Sequence, residues 1–361
     1  MEAKKRLSHI DLLECFAILF VVIYHSRVYS FDFVQENSFL NYLLYFARTI
    51  LSTCVPLFFF ANGYLLFNRK FDLNKHIKKI LRLIALVFVW AFLLMPIYMI
   101  IEKEPLNVKT IISSILSLDT SWTINYLWFI GAIVCIYVLF PALKALFDSN
   151  KKSFVFFVVA CAILTFGVVF ANHGILLLES LTQKTIPGFS QPIFRMFNPF
   201  RGSYGYSFVY FCVGGLIYKY EPKILSIPKA KRNIISVLGI IISSAMLFLL
   251  GVFMSHYEGG VWDVVWGGYD TVFTFLNVIF IYVLCLNYTK DYSLIKNISC
   301  NTLGMYFIHG IILRLTRPLV KSVDFLCNFP FSIIYSAAVI CLCLLLCLLI
   351  KKVKILRNLV S

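Results

Sequence analysis

Hydrophobic residues run along this chain in long blocks that short polar or charged segments separate. Runs of about 18 or more apolar residues recur from end to end, and each is long enough to cross the roughly 30 Å hydrocarbon core of a bilayer. The strict alternation of apolar and polar residues that a membrane β-barrel requires is not the pattern here. The pattern therefore predicts an all-α fold, a polytopic transmembrane helix bundle of about ten spans.

The predicted spans cover most of the chain, and the sixth of them is short and glycine-bearing. No internal repeat, linker or second soluble segment is visible, so residues 1–361 are predicted to form one integral-membrane domain. The spans are predicted at 9–29, 43–67, 80–101, 124–146, 153–172, 204–220, 233–254, 268–287, 299–319 and 331–350.

Composition and charge agree with a membrane protein. Sixty per cent of the 361 residues are hydrophobic and only 14% are charged. A formal net charge of +16 would suit a nucleic-acid-binding protein, but the basic residues lie in short clusters between apolar spans. Such clusters follow the positive-inside rule. With the N-terminus inside, most of the 33 Lys and Arg residues fall on one side, which predicts that both termini are cytoplasmic.

One basic group does not follow this asymmetry. Arg314, Arg317 and Lys321 are predicted at the outer face, beyond the ninth span. Two explanations stay open: the ninth span is misplaced, or these residues form a basic outer patch that meets an anionic substrate.

The outer loops carry a second candidate for substrate binding. Residues 255–270, SHYEGGVWDVVWGGYD, contain three acids, two Trp and two Tyr. Aromatic rings stack on pyranose faces and carboxylates accept hydrogen bonds from hydroxyl groups, which favours sugar binding. An interfacial aromatic belt explains the same residues equally well.

The eleven cysteines give no sign of metal chemistry. Almost all lie inside predicted spans, and no CxxC pair or Cys/His spacing typical of a metal site is present. We interpret most of them as small apolar packing residues and expect no metal cofactor.

The first span ends in an ionisable ring. It reads DLLECFAILFVVIYHS from Asp11 to Ser26, and His25 follows Glu14 by eleven residues. Eleven helical steps bring the two side chains to within about 20° of each other around the helix, with about 16 Å of rise between them. A face that carries Asp11, Glu14 and His25 is expected to meet the bundle interior or a water-filled cavity, not lipid.

Imidazole titrates near neutrality, so His25 is a candidate to take a proton from a hydroxyl group or to accept an acyl group. The alternative for a membrane histidine is a structural hydrogen bond to a neighbouring helix.

Five segments, in the same order along the chain, resemble the membrane acyltransferase family 3, which comprises bacterial integral-membrane O-acyltransferases. The resemblance covers nearly the whole chain and includes the first-span stretch. The other four segments are VPLFFFANGYLLF (55–67), HIKKILRLI (76–84), NYLWFIGAIVCIYVLFPAL (125–143) and SCNTLGMYFIHG (299–310).

The resemblance implies a multi-pass enzyme of the bacterial inner membrane. Its donor would be a cytoplasmic acyl-CoA, most often acetyl-CoA. Its acceptor would be a hydroxyl of a cell-surface polysaccharide or of a lipid-linked precursor. His25 and Glu14 become catalytic candidates on this basis. His309 is the second histidine candidate, as acid, base or donor positioner, and a structural hydrogen bond is its alternative. The amides of Asn62 and Asn125 are candidates to donate to the developing oxyanion, and packing is their alternative.

The phosphates of coenzyme A require cations near the cytoplasmic mouth. Lys78, Lys79 and Arg82 stand at the predicted cytoplasmic start of the third span, with Arg82 one turn deeper than Lys78 on the same face. They are the candidates for donor binding, and ordinary positive-inside anchoring is the alternative. A narrow polar channel along the first span is expected to join these cations to His25.

Three positions depart from the family pattern. Glu14 stands where the family usually has Arg or Lys, Asn62 where it often has Ser, and Tyr126 where it often has His. Because Glu14 reverses a charge, another residue would have to hold the donor, or Glu14 would pair with a cation of the third span.

Two other functions remain open from the sequence. Ten spans with a polar cavity would also suit a glycan transporter or flippase, although the internal repeats that such proteins often carry are not visible. A noncatalytic family member that helps to export a polymer is the other alternative.

Overall fold

The computed structural model of this protein describes residues 6–116, 124–184 and 204–360. Within these ranges the chain is mostly helical and has no β-strands. Short 3₁₀ turns extend or join several helices. The α-helices are α1 Ser8–Ser26, α2 Phe39–Thr49, α3 Cys54–Phe67, α4 Leu73–Ile101, α5 Val108–Leu116, α6 Trp128–Ser149, α7 Lys151–Ala162, α8 Val168–Thr182, α9 Gly205–Leu225, α10 Lys229–Glu258, α11 Val272–Cys285, α12 Ser293–Ser299, α13 Thr302–Lys321 and α14 Phe329–Lys352.

The transmembrane bundle is confirmed. Within the described ranges, seven helical segments are long and apolar enough to cross a membrane, or eight when α12 and α13 count as one bent span. Two helices at the predicted sixth and eighth spans fall outside this set: α9, which carries Lys219, Glu221 and Lys223, and α11, which has only 14 residues. The count of ten spans, the cytoplasmic termini and the single domain stay predictions.

Several span boundaries differ from those predicted. The fifth span continues to Thr182, ten residues further, and a π-helical turn at Ile163–Gly167 joins α7 to α8. The ninth span is broken, because α12 and α13 meet at 79°. Between the predicted fifth and sixth spans, residues 185–203 lie outside the described residues.

The third span begins seven residues earlier than predicted, at an N-cap. The carboxylate of Asp72 accepts the backbone N–H of Lys75 at 3.0 Å, as N-cap residues typically do. This hydrogen bond holds the pKa of Asp72 below its usual value.

Large apolar side chains remain exposed along the outside of the long helices, among them Phe92 on α4 (63% exposed) and Ile242 on α10 (61% exposed). An apolar surface of this extent would be unfavourable in water and is favourable in contact with lipid tails. The bilayer is therefore the setting of this protein.

The helices form two compact units. The first contains the start of α1 together with α2, α3 and α7–α11, and the second contains the end of α1 together with most of α6 and α4, α5 and α12–α14.

In the first unit, α3 and α9 touch backbone to backbone. A Cβ added to Gly63 would lie 1.8 Å from the carbonyl oxygen of Phe211, and one added to Gly214 would lie 2.1 Å from that of Phe60. Small residues permit such close approach in membrane proteins. Gly214, one of the glycines of the predicted sixth span, thus serves helix packing.

In the second unit, α4 and α13 run parallel and α6 and α14 run antiparallel to them. The ring of Trp90 stacks on that of Phe307, and further along the same helices Tyr98 lies against Gly310. One end of the second unit contains the C-terminal ends of α1, α4 and α13 and the start of α6. We call it the His25 end. We call the opposite end, with the starts of α4 and α13, the Arg82 end.

Candidate active site

Two histidines meet at the His25 end, although 284 positions separate them in the chain. Nδ1 of His25 lies 2.9 Å from Nε2 of His309, and the two ring planes differ by only 9°. With ring centroids 5.2 Å apart, this geometry is an in-plane hydrogen bond between ring edges rather than face-to-face stacking. His25 and His309 therefore form a hydrogen-bonded pair.

The hydrogen bonds of His309 fix which nitrogens carry protons. Its Nδ1 lies 2.6 Å from the carbonyl oxygen of Tyr306, and because a carbonyl only accepts, Nδ1 carries the proton. His309 is fully buried, which favours the neutral ring, so its Nε2 has a lone pair and accepts. His25 must then donate from Nδ1, and the lone pair of the His25 ring is on Nε2.

Aromatic side chains hold His309 in place. The ring of Tyr126 packs edge-on against His309 at 5.4 Å, and its hydroxyl lies 3.2 Å from both the Tyr98 hydroxyl and the Phe307 carbonyl oxygen. The hydroxyl of Tyr306 donates in return to the Tyr126 carbonyl oxygen. A Cβ on Gly310 would lie 2.6 Å from the Tyr98 hydroxyl, so a side chain there would displace this cluster.

Two arginines of α13 join other helices to this end. Nη1 of Arg314 lies 2.8 Å from a Glu102 oxygen, and its guanidinium sits 4.4 Å from the centre of the Tyr98 ring. Nη2 of Arg317 donates to the carbonyl oxygen of His25 at 2.7 Å. That carbonyl is among the last of α1, which have no partner within the helix. Arg317 therefore fixes the backbone of the residue whose side chain forms the pair.

The three predicted donor-binding cations lie together at the Arg82 end. Lys78, Lys79 and Arg82 are exposed near the start of α4. Nζ of Lys79 donates to the Tyr137 hydroxyl at 3.0 Å, and Nη2 of Arg82 donates to the carbonyl oxygen of Asn358 at 3.2 Å.

A buried histidine ties this part of α4 to α6. The Tyr137 carbonyl would normally accept a bond from the residue four positions on, but Pro141 has no N–H. Nε2 of His76 donates to that carbonyl at 2.7 Å instead. His76 thus replaces the hydrogen bond that the proline removes and holds the neighbouring cations against α6.

The C-terminal tail, residues 353–360, folds back onto the Arg82 end. Besides the Arg82 contact, the indole N–H of Trp90 donates to the Leu359 carbonyl oxygen at 3.0 Å. Val360 is fully buried beside Gly304, where an added Cβ would lie 2.8 Å from the Val360 Cβ. The tail therefore closes part of the seam between α4 and α13.

The two ends are a short distance apart along the bundle. Trp90 is eight residues beyond Arg82 on α4, and its stacking partner Phe307 precedes His309 by two residues on α13. At 1.5 Å of rise per residue, about 15 Å of helix separates the levels of Arg82 and His309.

A family model described as an acyltransferase domain matches residues 7–351, nearly the whole chain. The chain belongs to the membrane acyltransferase family 3. No curated protein and no solved structure matches it. The protein is thus a multi-pass membrane acyltransferase, and the resemblance seen in its sequence is confirmed.

The remaining candidates of this acyltransferase are not members of the histidine pair. Glu14 is half-buried on α1, about 16 Å of helical rise before His25, too far for contact with the reacting atoms at His25. Its catalytic role stays a prediction. Asn62, whose amide was a candidate oxyanion donor, donates to the Phe58 carbonyl oxygen within α3. The side chain of Asn125, the other such candidate, lies outside what the structure describes.

Sequence reasoning missed three features of this acyltransferase: the contact of Arg317 with the His25 carbonyl, the anchoring of His309 by Tyr126, and the docking of the tail. The misfit of Arg314 and Arg317 with the charge asymmetry was the one signal in the sequence. Nothing in the tail sequence, VKILRNLV, indicates that its Val360 is buried.

Proposed function

We propose that this acyltransferase moves an acyl group, acetyl being the expected one, from cytoplasmic acyl-CoA to a hydroxyl group outside a bacterial inner membrane. The acceptor is a cell-surface polysaccharide or its lipid-linked precursor. The observation that carries the proposal is the hydrogen-bonded pair of His25 and His309, because it leaves a lone pair on the His25 ring in a defined position.

The pair suits general-base catalysis. His25 Nε2 takes the proton of the acceptor hydroxyl while the hydroxyl oxygen attacks the thioester carbonyl carbon. The new C–O bond forms, the C–S bond breaks, and the thiolate of coenzyme A takes the proton from the imidazolium. The products are the O-acyl ester and the free thiol.

His309 is a positioning residue in this scheme. By accepting from Nδ1 it holds His25 in the tautomer with a basic Nε2, and it supports the imidazolium that forms, as the carboxylate does in a Ser-His-Asp triad. Attack by Nε2 on the thioester, which would form an acyl-histidine intermediate, uses the same lone pair and is the second route.

The donor is proposed to enter from the Arg82 end. Arg82, Lys78 and Lys79 would hold the phosphates of coenzyme A, since guanidinium and ammonium groups pair with phosphate oxygens. The pantetheine arm would then follow the seam between α4 and α13 over about 15 Å to the level of His309. Because the tail lies in this seam, it either adds to the donor site or moves when the donor binds.

The test compares three versions of the protein in cells that make the native surface polysaccharide: wild type, His25→Ala and His173→Ala. His173 is a half-buried histidine of α8, outside the candidate residues, and serves as the matched control. The isolated polysaccharide is analysed by mass spectrometry for O-acyl groups after feeding with isotope-labelled acetate.

We expect labelled acyl groups with wild type and His173→Ala and none with His25→Ala. Normal acylation by His25→Ala contradicts the catalytic assignment. Movement of labelled glycan across vesicles of purified protein without consumption of acyl-CoA would instead identify a transporter.

A further inference from the structure

Three arginines converge beside the histidine pair. Arg314 and Arg317 are one turn apart on α13, and Arg27 follows α1 directly, two residues after His25. The guanidinium of Arg317 is hydrogen-bonded to the His25 carbonyl oxygen, two residues before Arg27, so the positive charges of the three arginines repel one another. Glu102 pairs with Arg314 and offsets part of this positive charge. The arrangement gathers positive charge where the acyl transfer is proposed to occur.

Arg317 has an N–H group to offer a ligand. Its Nη2 donates to the His25 carbonyl, whereas its Nε is buried and has no hydrogen-bond partner within the described part of the chain. A buried donor without a partner is costly, since it has lost its hydration. Such a group is expected where a bound molecule supplies the acceptor.

Arg27 occupies a backbone position that favours glycine. Its φ is 49°, in the left-handed region, and it stands directly after the last residue of α1. Helices commonly end with a residue in this conformation, usually Gly, because a Cβ there is strained by roughly 1 kcal/mol or more. A non-glycine residue in this conformation is a candidate for a functional role.

We propose that Arg27 and Arg317 form an anion subsite beside His25, which binds a carboxylate or phosphate carried by one of the two substrates. Guanidinium groups bind such oxyanions with paired N–H donors. Arg317 is hydrogen-bonded to the backbone carbonyl of His25. An anion bound to the Nε of Arg317 would therefore lie beside the residue whose ring reacts. The subsite therefore selects a charged substrate and orients it.

This inference rests on the proposed function for its place in the reaction, but its test does not require turnover. The acceptor is the expected source of the anion, since the His25 end is the predicted outer face. An acyl chain that ends in a carboxylate is the other source, and separate arms of the experiment distinguish the two.

The experiment measures binding to the full-length protein in lipid nanodiscs by microscale thermophoresis. The acceptor arm compares p-nitrophenyl β-D-glucuronide with p-nitrophenyl β-D-glucoside, which differ by one carboxylate. The donor arm compares succinyl-CoA with acetyl-CoA. Each ligand is tested on wild type, Arg317→Gln, Arg27→Gly, His25→Ala and the matched control Arg69→Gln, which changes an exposed arginine of the loop before α4.

The variants separate charge from structure. Arg317→Gln keeps an N–H donor for the His25 carbonyl but removes the charge. Arg27→Gly relieves the left-handed strain, so this variant is expected to fold at least as well as wild type.

We expect wild type to bind the anionic member of one pair about tenfold more tightly than the neutral member, and to lose this preference at high salt. Arg317→Gln and Arg27→Gly should lose the preference, while His25→Ala and Arg69→Gln keep it. A preference in the donor arm alone supports the subsite and assigns the anion to the acyl chain.

Equal affinities in both pairs for wild type, or a preference that survives in Arg317→Gln and Arg27→Gly, overturn the proposal and leave the arginines a structural role. If instead His25→Ala keeps the preference for the anionic ligand and also acylates normally, the proposed role of His25 in acyl transfer is wrong and the anion subsite is supported.

Discussion

The His25 end and the Arg82 end of the second unit use polar side chains in different ways. At the His25 end, His309 is fully buried, and the side chains around it hydrogen-bond or pack across α1, α4, α6 and α13. At the Arg82 end, Lys78 and Arg82 are exposed on a single helix, and the tail covers part of it. Buried, oriented groups suit a chemical step, whereas exposed cations suit the capture of a charged ligand.

This comparison predicts that changes at the two ends have separable kinetic effects. A group that acts only on the reacting atoms alters kcat, and a group that binds a distant part of the donor alters KM. The predictions below use this separation, and each is measured as the release of coenzyme A thiol by purified protein in nanodiscs.

The largest effect is expected from His309→Ala. Without the acceptor on His309, the His25 ring no longer has a fixed tautomer, so kcat should fall about 100-fold while KM for acyl-CoA stays within about twofold. A change in KM without a change in kcat would place His309 in donor binding and would remove the contrast between the ends.

Arg82→Gln should have an intermediate effect of the opposite kind. Loss of one charge-assisted contact with a phosphate raises KM for acyl-CoA about tenfold, with kcat nearly unchanged. Arg69→Gln is the control for the loss of one positive charge. If the two variants behave alike, the cations of α4 only anchor the helix at the membrane surface.

The smallest effect is expected from release of the tail. Val360→Asp places a charge at a fully buried apolar position and should undock the tail, whereas Ile355→Asp changes a residue that is 87% exposed. If the tail competes with the donor for Arg82, Val360→Asp lowers KM for acyl-CoA about threefold, a shift of ~0.6 kcal/mol. A higher KM in Val360→Asp than in Ile355→Asp would mean that the tail helps to form the donor site.

The sequence predicted features that depend on one helix and missed those that depend on packing. Apolar runs located the helices, and the cations at the start of α4 were evident from the chain alone, because both are local. The partner of His25 was not evident, since spacing along one helix carries no information about a residue 284 positions away.

Breaks in helices were missed for a related reason. The π-turn at Ile163–Gly167 lies within apolar sequence that reads as continuous. The 79° bend lies at residues 300–301, in a short polar stretch at the predicted start of the ninth span. Conversely, the misfit of Arg314 and Arg317 with the charge asymmetry was visible from the start. Its explanation needed the contacts of these arginines with Glu102 and with the His25 carbonyl.

The central claim is that His25 and His309 act as one catalytic pair, and a double-mutant cycle of acyl-transfer rates tests it most directly. Residues that act as a unit are not additive. We predict that His25→Ala lowers kcat by about 10³, His309→Ala by about 10², and that the double variant is no slower than His25→Ala alone. Full additivity of the two losses, or a wild-type rate in His25→Ala, would contradict the account.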